Sequence, residues 1–344
     1  MNNNNNFKGL KIGVIGAGSW GTALANLLAL KGFNIDFWAF EKNVKDDIAR
    51  LSENRIFLPG VKLSSNIHPS NDIEKVASGK NLLLLVVPSH VMRETANKIS
   101  GFVTRDMTIV SASKGIENKT HLTMTGVLCE IFKHIPENRF AALSGPSFAR
   151  EVAKKAPTLI AVASKDQKTA DFVQHVFATS YFRVYTSNDI TGVELGGATK
   201  NVIAIAAGMS DGLDFGLNTR AAIITRGLAE IRRLGLKLGA NPRTFVGLAG
   251  VGDLLLTCTG TLSRNYTVGK LLGEGKKIDA ILSEMKMVAE GVKTAKSVYN
   301  LSRRIGVEMP ISREVYNILY NDISPEEAVH RLMTRGLREE LDEI

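Results

Sequence analysis

One stretch near the start of the chain, residues 10–32, restricts the possible folds more than any other. It reads LKIGVIGAGSWGTALANLLALKG, in which an apolar run is followed by Gly16, Gly18 and Gly21 and then by an Ala- and Leu-rich segment. The pattern predicts a strand, a tight turn and a helix, with residues 34–39 as the next strand. In such a unit the glycines permit the turn, the approach of a pyrophosphate and helix packing. We therefore expect this turn and the helix amides after it to hold a dinucleotide.

Short apolar runs alternate with helix-like segments through the rest of the first 190 residues. The strand-like runs are 81–87, 107–111, 140–143, 158–163 and 181–185. The first of these, NLLLLVV, is typical of a strand that is buried on both faces. The alternation predicts an α/β fold whose N-terminal domain is a Rossmann-like, doubly wound and largely parallel sheet.

From about residue 190 the pattern changes to long helical periodicities. Helices are predicted at 191–209, 220–239, 279–287, 292–305, 311–320 and 325–334. We therefore expect an Asn-rich disordered tail at 1–8, a dinucleotide-binding Rossmann domain at 9–190, and a helical substrate-binding and catalytic domain at 191–344. A ligand cleft is expected at the boundary, because open α/β sheets bind ligands beyond the carboxyl ends of their strands.

Composition narrows the class of protein further. The formal net charge of +9 invites a nucleic-acid reading, but Lys and Arg are scattered without an aromatic-basic cluster, so no nucleic-acid partner is expected. Cys129 and Cys258 lack metal-ligand spacing, which predicts reduced, partly buried thiols and no metal. The chain has no run of about 18 apolar residues, and its start, MNNNNNFKG, lacks the apolar core of a signal peptide. A cytoplasmic protein without a membrane span is expected.

Polar clusters follow several of the predicted strands. They are VPSH at 87–90, SASKGIE at 111–117 and SGPSFARE at 144–151. Since the carboxyl ends of parallel strands meet at one edge of a sheet, Lys114 is predicted to point toward the cleft. The hydroxyls and glycine amide of residues 144–147 suit an oxygen-rich ligand, although a simple tight turn explains them as well.

Lys200 is the most suggestive single residue, because its helix is otherwise made of small and apolar residues, GGATKNVIAIAAG. Burial of this helix would lower the pKa of the amine and make it a usable proton donor or acceptor near neutral pH. A snorkelling lysine at the edge of the helix is the alternative. Asp253 is embedded in apolar sequence, GVGDLLLTC, and is therefore expected to be paired, with Lys200 as the candidate partner.

Two further groups of polar residues suit a phosphate. Arg264 and Asn265, after Ser263, put a guanidinium beside an amide, and a guanidinium can bind phosphate with two hydrogen bonds. Asn218 and Arg220 offer a second group at a predicted helix start, although helix capping by Asn218 explains that pattern almost equally well.

Ten blocks of the sequence resemble, in order, one known family. They are GAGSWGTALA, NRIFLPG, VPSH, SKGIE, SGPSFARE, GATKNVIAIAAG, NTRAAIITRGL, GVGDLLLTC, SRN and VAEGV. Together they resemble the bacterial type of NAD(P)-dependent glycerol-3-phosphate dehydrogenase over about residues 8–335. The resemblance implies an oxidoreductase that interconverts dihydroxyacetone phosphate and sn-glycerol 3-phosphate with NAD(P)H, feeds glycerophospholipid biosynthesis and forms a homodimer.

The same resemblance assigns roles to single positions. Lys200 looks like the general acid and base. The positions that look like substrate contacts are Lys114, Gly145, Ser147, Lys200, Asn201, Asp253, Ser263, Arg264 and Asn265. Beside the three motif glycines, the positions that look like cofactor contacts are Ser19, Trp20, Phe40, Lys114, Ala149, Arg264, Val288 and Glu290.

One position departs from the family. Where the family commonly has W-x-R at the end of the second strand, with an arginine that meets a ribose 2'-phosphate, this chain has Trp38, Ala39 and Phe40. Loss of the guanidinium weakens the case for NADP, and Glu41 suits a free 2'-hydroxyl. Lys42 offers partial compensation, so the choice between NADH and NADPH stays open.

Two other readings compete with this one. A related β-hydroxyacid or ketopantoate-type dehydrogenase would anchor a carboxylate, and the SRN block argues against it. A non-catalytic dinucleotide sensor with a DNA-binding surface would not need Lys200 and would bind more weakly as salt rises.

Overall fold

The computed structural model describes Phe7 and residues 9–285, 288–337 and 339–340. Most of the predicted Asn-rich tail and the last two residues of the helix predicted at 279–287 lie outside the described residues. By its internal contacts the chain forms two compact units. The first contains the residues up to 113 and 124–190, and the second contains 114–123 and the residues from 191 onward. Residues 114–123 fall within the predicted Rossmann domain, 9–190, whereas their contacts group them with the second unit.

The first unit is built on an eight-stranded sheet. Its strands are β1 (Ile12–Ile15), β2 (Ile35–Trp38), β3 (Ile67–Ser70), β4 (Leu82–Leu85), β5 (Thr108–Ser111), β6 (Phe140–Ser144), β7 (Thr158–Ser164) and β8 (Phe182–Ser187). They lie in the order β3-β2-β1-β4-β5-β6-β7-β8, and the pairs from β3 to β6 are all parallel. The chain thus winds outward from β1 in one direction and from β4 in the other, which confirms the predicted doubly wound, largely parallel sheet.

Two features of the sheet differ from the sequence expectation. β3 has no counterpart among the predicted strands, since it is only four residues long and contains Pro69. Proline is tolerated there because β3 is the edge strand of the sheet. At the other edge β7 pairs antiparallel with β6, so that the final pair, β7 and β8, runs against the rest.

The helices of the first unit are α1 (Ser19–Leu30), α2 (Lys42–Leu51), α3 (Ile73–Ala77), α4 (Met92–Ile99), α5 (Met124–Ile131), α6 (Ala149–Ala153) and α7 (Gln167–Phe177). α1 begins at Ser19, inside the glycine motif, because Gly18 is its N-cap in an extended conformation. It is buried from Gly21 to Ala29, and Gly32 ends it with φ +103°. The central strands β1, β4 and β5 are buried along their whole length, and together with the buried part of α1 they contribute to the core of this unit.

The second unit is helical, as predicted. Its helices are α8 (Ile190–Gly212), α9 (Gly216–Lys237), α10 (Asp253–Thr259), α11 (Arg264–Gly273), α12 (Ile278–Glu284), α13 (Glu290–Ile305), α14 (Pro310–Tyr320) and α15 (Pro325–Met333). α8 is buried over most of its length and is the centre of this core. Segment 114–123 joins the same unit, where Ile116 pairs with Thr123 and packs into the helical core.

Glycines let the backbone of α8 approach that of α11. A Cβ at Gly208 would lie 2.1 Å from the carbonyl oxygen of Tyr266, and one at Gly269 would lie 2.0 Å from the carbonyl oxygen of Ile205. Both distances are too short for any side chain, so the two helices touch through their main chains. This packing places the start of α11 beside the middle of α8.

Candidate active site

The turn between β1 and α1 has the backbone that the glycine pattern predicts. Gly16 has φ +118°, and a Cβ there would lie 2.7 Å from the carbonyl oxygen of Val86. A Cβ at Gly21 would lie 1.9 Å from the carbonyl oxygen of Gly16, so both positions require glycine. A Cβ at Gly18 would meet nothing within 4 Å, and no side chain caps the helix there. The free amides at the start of α1 and the space beside Gly18 fit the pyrophosphate of a dinucleotide.

Ser19 and Trp20 form the first turn of α1. The Nε1 atom of Trp20 is buried and has no hydrogen-bond partner among the described residues. A buried indole N–H without a partner is unusual in a folded protein. A ligand with acceptor oxygens at this helix start would satisfy it, which agrees with the predicted cofactor role.

The end of β2 carries the departure from W-x-R. The side chain of Phe40 is 74% exposed and makes an edge-to-face contact with Trp38, with the ring centroids 6.1 Å apart. Trp38 Nε1 donates a 3.0 Å hydrogen bond to the carbonyl oxygen of Asn71, and Asn71 Nδ2 donates one of 2.7 Å to that of Ala39. The end of β2 is thus fixed by hydrogen bonds and is followed by an exposed aromatic ring that has no charge.

The loop after β6 contains Gly145, Ser147 and the first residue of α6, Ala149. Gly145 has φ +144°, and a Cβ there would lie 2.9 Å from the Cα of Ile160. The Ser147 hydroxyl donates a 3.0 Å hydrogen bond to the carbonyl oxygen of Gly145. The hydroxyl hydrogen of Ser147 is therefore used within the turn, as the simple-turn alternative expects. The hydroxyl oxygen can still accept a hydrogen bond from a ligand.

In the second unit, two lysines share one buried carboxylate. Lys200 Nζ donates to Asp253 Oδ1 and, at 2.7 Å, to Thr257 Oγ1. Lys114 Nζ donates to Asp253 Oδ2 at 2.7 Å. The Asp253 side chain is only 1% exposed and that of Lys200 is 7% exposed, against 18% for Lys114. The predicted pairing of Asp253 with Lys200 is confirmed, and the amine does not snorkel.

Burial sets the acidity of this cluster. It lowers the pKa of Lys200 from 10.5 to about 8, although the charge of Asp253 opposes the shift. The second cation, Lys114, adds to the lowering. Burial also raises the pKa of the neighbouring Cys258 thiol to about 12, so that thiol is protonated at neutral pH. Both cysteines are free, and Cys258 is fully buried.

Glycines explain why the lysine and the carboxylate meet. A Cβ at Gly196, one helical turn before Lys200, would lie 2.4 Å from the carbonyl oxygen of Ala249. The segment that contains Ala249 is a wide turn, Leu248–Gly252, in which Gly250 leaves helical geometry. This close contact brings the first residue of α10, Asp253, against α8.

Thr257 is not among the site residues predicted from the sequence. Its hydroxyl accepts from Lys200 and donates a 2.6 Å hydrogen bond to the carbonyl oxygen of Asp253. It therefore joins the cluster through one helical turn of α10. Its spacing of four residues from Asp253 was the available signal, since residues at i and i+4 share a helix face.

The predicted phosphate group lies at the start of α11. Ser263 is the N-cap, and its hydroxyl accepts a 3.2 Å hydrogen bond from the Tyr266 amide. Arg264 is the first helical residue, and burial lowers its pKa while the charge of Glu290 opposes this shift. Asn265 Oδ1 accepts a 2.9 Å hydrogen bond from the amide of Gly291, so its Nδ2 is the donor that remains.

This group adjoins the helix of Lys200. A Cβ at Gly291 would lie 2.7 Å from the carbonyl oxygen of Asn201 and 2.8 Å from Asn265 Oδ1. Asn201, Asn265 and the start of α13 thus meet at one glycine. Glu290 begins α13, and Val288 just before it is 41% exposed.

The capping explanation for Asn218 is wrong, and Arg220 forms an ion pair within the second unit. α9 begins at Gly216 with Phe215 as its N-cap, so Asn218 is not the cap. Arg220 forms two hydrogen-bonded contacts with Asp211, Nε at 3.0 Å and Nη2 at 2.5 Å. Tyr266 donates its hydroxyl to the same carboxylate. This network ties the end of α8 to α9 and α11.

Neither a metal centre nor a membrane helix is found in the described part of the chain. No three His, Cys, Asp or Glu side chains are grouped to hold a metal ion there. No helix in the same residues combines the length and the apolar character needed to cross a membrane.

Comparisons with known proteins agree on one family. Residues 11–170 match the NAD-dependent glycerol-3-phosphate dehydrogenase N-terminus, and residues 189–330 match the C-terminus of the same family. A glycerol-3-phosphate dehydrogenase [NAD(P)+] of Syntrophobacter fumaroxidans is 56% identical over 331 residues, which cover 96% of this chain and 97% of that protein. A glycerol-3-phosphate dehydrogenase [NAD(P)+] of Geobacter metallireducens is 53% identical over 332 residues, which cover 96% of this chain and 99% of that protein.

Solved structures point the same way. The glycerol-3-phosphate dehydrogenase of Coxiella burnetii superposes with a TM-score of 0.91 at 36% identity, over 95% of this chain and 99% of that one. The resemblance inferred from the ten sequence blocks is therefore confirmed. With a glycine-rich turn in one unit, a buried lysine and carboxylate cluster in the other, and relatives that match along nearly the whole chain, the protein belongs to the NAD-dependent glycerol-3-phosphate dehydrogenase family.

Proposed function

We propose that this chain interconverts dihydroxyacetone phosphate and sn-glycerol 3-phosphate with NAD(P)H, and that Lys200 is its general acid and base. The observation that carries the proposal is the buried Lys200–Asp253–Lys114 cluster in a chain of this family. The product is the backbone of glycerophospholipids, so we assign the chain to that biosynthesis. A cytoplasmic location, expected from the sequence, and a homodimeric state, implied by the family resemblance, are part of the proposal.

Reduction of the ketone needs a proton on the carbonyl oxygen as the alkoxide develops. The Lys200 ammonium, with a pKa of about 8, is charged at neutral pH and yet loses its proton readily. In the oxidation direction the neutral amine takes the hydroxyl proton. Lys200 suits this role better than Lys114, because its side chain is more deeply buried, 7% exposed against 18%, and burial lowers its pKa.

Asp253 and Thr257 position the amine. Both carboxylate oxygens of Asp253 accept from lysines, so this residue holds the two cations rather than taking a proton from substrate. Thr257 accepts a second hydrogen bond from Lys200 and thereby limits the directions in which the third N–H bond can point. That remaining hydrogen is the one available to the substrate oxygen.

The start of α11 is the proposed phosphate anchor. Arg264 offers a guanidinium, Asn265 its Nδ2 atom and Ser263 its hydroxyl hydrogen, all at the positive end of a ten-residue helix. Asn201 adjoins this group through Gly291. Gly145 and Ser147, in the first unit, remain proposed substrate contacts on the strength of the family resemblance.

The residues proposed to hold the cofactor are Gly16, Gly18, Ser19, Trp20, Gly21, Phe40, Ala149, Lys114, Arg264, Val288 and Glu290. A bound nicotinamide supplies the hydride for the carbonyl carbon. The open space beside Gly18 and the partnerless Trp20 Nε1 support a dinucleotide at α1. The uncharged Phe40 supports a weaker preference for NADPH than an arginine would give.

The test is steady-state reduction of dihydroxyacetone phosphate with NADH and with NADPH, for the wild type and for Lys200→Ala. We expect Lys200→Ala to lower kcat by about 10²–10⁴-fold, the usual loss of a general acid, while the Kd for NADH changes little. Lys237→Ala, at an exposed lysine of α9, is the matched control.

Three outcomes would contradict the proposal. A Lys200→Ala enzyme that keeps more than about a third of wild-type kcat would remove Lys200 from the mechanism. Preference of the wild type for a 2-keto acid over the phosphorylated ketone would indicate the ketopantoate-type reaction. Dinucleotide binding without turnover, together with salt-sensitive DNA binding, would indicate a sensor.

A further inference from the structure

Asn54 lies outside the glycine motif yet contacts it. It belongs to the NRIFLPG segment after α2, to which the function proposed above gives no role. Its side chain has no exposed surface. A buried amide has two donor hydrogens and an acceptor oxygen to satisfy, so its partners show what it is for.

All three hydrogen-bonding positions of the Asn54 side chain are used. Nδ2 donates to the carbonyl oxygen of Ala17 at 2.8 Å and to Thr22 Oγ1 at 2.8 Å. Oδ1 accepts from the amide of Phe57 at 3.0 Å. Ala17 is the middle residue of the Gly16–Gly18 turn, and Thr22 lies in the second turn of α1.

The contact with Ala17 orients the group that faces the proposed pyrophosphate. The Ala17 carbonyl and the Gly18 amide share one planar trans peptide, in which the C=O and N–H bonds point in opposite directions. Holding the oxygen on the Asn54 side therefore directs the Gly18 N–H away from Asn54. The bond to Thr22 ties the same amide to α1, whose first amides complete the anion site.

Asn54 is itself held by a compact loop. Arg55 bonds Asp47 of α2 through Nε at 2.9 Å and Nη2 at 2.8 Å. The amide of Leu58 donates to the carbonyl oxygen of Asn54 at 2.9 Å, and that of Leu63 donates to Ser52 at 2.8 Å. Anchored at both ends, the loop presents the amide in one orientation.

We propose that Asn54 is a positioning residue for dinucleotide binding: it orders the Gly16–Gly18 turn before the cofactor arrives. This inference rests on the proposed function, because it assumes that the turn binds NAD(P)H. Pre-ordering matters because a turn that must be fixed on binding costs affinity.

The test compares Asn54→Ala with Asn26→Ala by calorimetric titration with NADH. Asn26, a residue of α1, is a matched control because its side chain is buried like that of Asn54. Its Oδ1 atom accepts a 2.9 Å hydrogen bond from the Ser64 amide, away from the glycine turn. We expect Asn54→Ala to raise the Kd for NADH by about 5- to 30-fold, as for one or two net hydrogen bonds. Asn26→Ala should leave it within about twofold. At saturating NADH the KM for dihydroxyacetone phosphate should be unchanged in both variants.

Two further variants protect the test against misfolding and a general structural effect. Thr22→Val, which removes one acceptor of the amide, should raise the same Kd by a smaller factor. Asn54→Asp places a carboxylate against the Ala17 carbonyl, and its excess Kd over wild type should shrink from about pH 8 to about pH 6 as protonation restores a donor.

The outcomes separate this inference from the proposed function. A wild type that binds no dinucleotide would refute the function. A wild type that binds NADH normally, with Asn54→Asp and Thr22→Val binding as tightly at about pH 8, would refute the role of Asn54. Equal weakening by Asn54→Ala and Asn26→Ala would also refute it, because both effects would then come from lost stability.

Discussion

Lys200 and Lys114 share one carboxylate, yet they are not chemically equivalent. Lys200 is buried and its pKa falls to about 8, while Lys114 keeps part of its side chain in solvent. The charge of Asp253 is the largest influence that opposes this fall. The carboxylate therefore limits how far burial lowers the pKa of Lys200.

We predict that Asp253→Asn shifts the pH dependence of ketone reduction to lower pH. Reduction needs the protonated amine, so wild-type kcat/KM should fall as pH rises through about 8. Removing the opposite charge lowers the pKa of Lys200 further, by about 1 to 3 units for a pair this close. Oxidation of glycerol 3-phosphate, which needs the neutral amine, should gain activity at lower pH. Thr257→Val keeps the charge and should shift the profile less. An unchanged profile would show that another group controls the titration.

Arg264 is the residue on which the proposed phosphate contact most depends. Arg264→Ala should lower kcat/KM for dihydroxyacetone phosphate by about 10²-fold or more, because a charge-assisted, two-bond contact is the strong kind. Unphosphorylated dihydroxyacetone should lose much less. Added phosphite should stimulate its reduction by the wild type and not by the variant. Equal losses for both substrates would make Arg264 structural or purely cofactor-facing.

Phe40 gives a prediction about cofactor choice. Its ring is 74% exposed, so Phe40→Arg can be made without opening the core. The variant should prefer NADPH more than the wild type does, by about tenfold in kcat/KM for each 1.4 kcal/mol gained. Phe40→Gln, polar but uncharged, is the control. If the ratio of the two kcat/KM values stays constant, another residue reads the ribose.

At the scale of elements, α14 begins on a buried acid from another helix. Glu230 of α9 accepts hydrogen bonds from the amides of Ile311 and Ser312 at 2.5 and 3.1 Å, and from the Ser312 hydroxyl at 2.9 Å. Burial raises the pKa of Glu230 from 4.5 to about 7, and the two amides partly offset the shift. One carboxyl group thus supplies the cap that α14, which starts with Pro310, lacks in its own sequence.

We predict that this contact makes stability depend on pH. The folded state binds the Glu230 proton more tightly than the unfolded state, so the stability it adds is complete below about pH 4.5 and is lost as pH rises through about 7. Glu230→Gln should flatten this part of the curve, a change of about 3 kcal/mol at most. Urea unfolding followed by circular dichroism is the measurement, since both tryptophans lie in the first unit. The exposed Glu284→Gln is the control, and a variant curve parallel to the wild type would contradict the prediction.

At the scale of the whole molecule, the chain divides its chemistry between two units. The first contains the glycine turn, Phe40 and the loop of Gly145, and the second contains Lys200, Asp253 and Arg264. Segment 114–123 leaves the sheet unit in sequence and joins the helical unit through Ile116 and Lys114. A lysine that follows a strand of the first unit thereby becomes part of the buried lysine and carboxylate cluster of the second.

Local pattern was sufficient for most of the architecture. The period of the apolar runs predicted the doubly wound sheet and the helical second unit, because burial on one or both faces leaves a period in the sequence. Gly16, Gly18 and Gly21 predicted their turn for a similar reason, since only glycine fits at Gly16 and Gly21, and Gly18 leaves open space beside the turn. The burial of Lys200 and of Asp253 was recognisable from the small and apolar residues that surround each of them in the sequence.

The remaining features depend on contacts between residues far apart in the chain, and no local period records those. Lys114 joins Asp253 across 139 positions, and Asn54 reaches Ala17 across 37. β3 was missed because a four-residue edge strand with a proline has almost no strand signal of its own. Periodicity reports which side of an element is buried, whereas the partner of a buried polar group is chosen only when the chain folds and each such group must find a hydrogen bond.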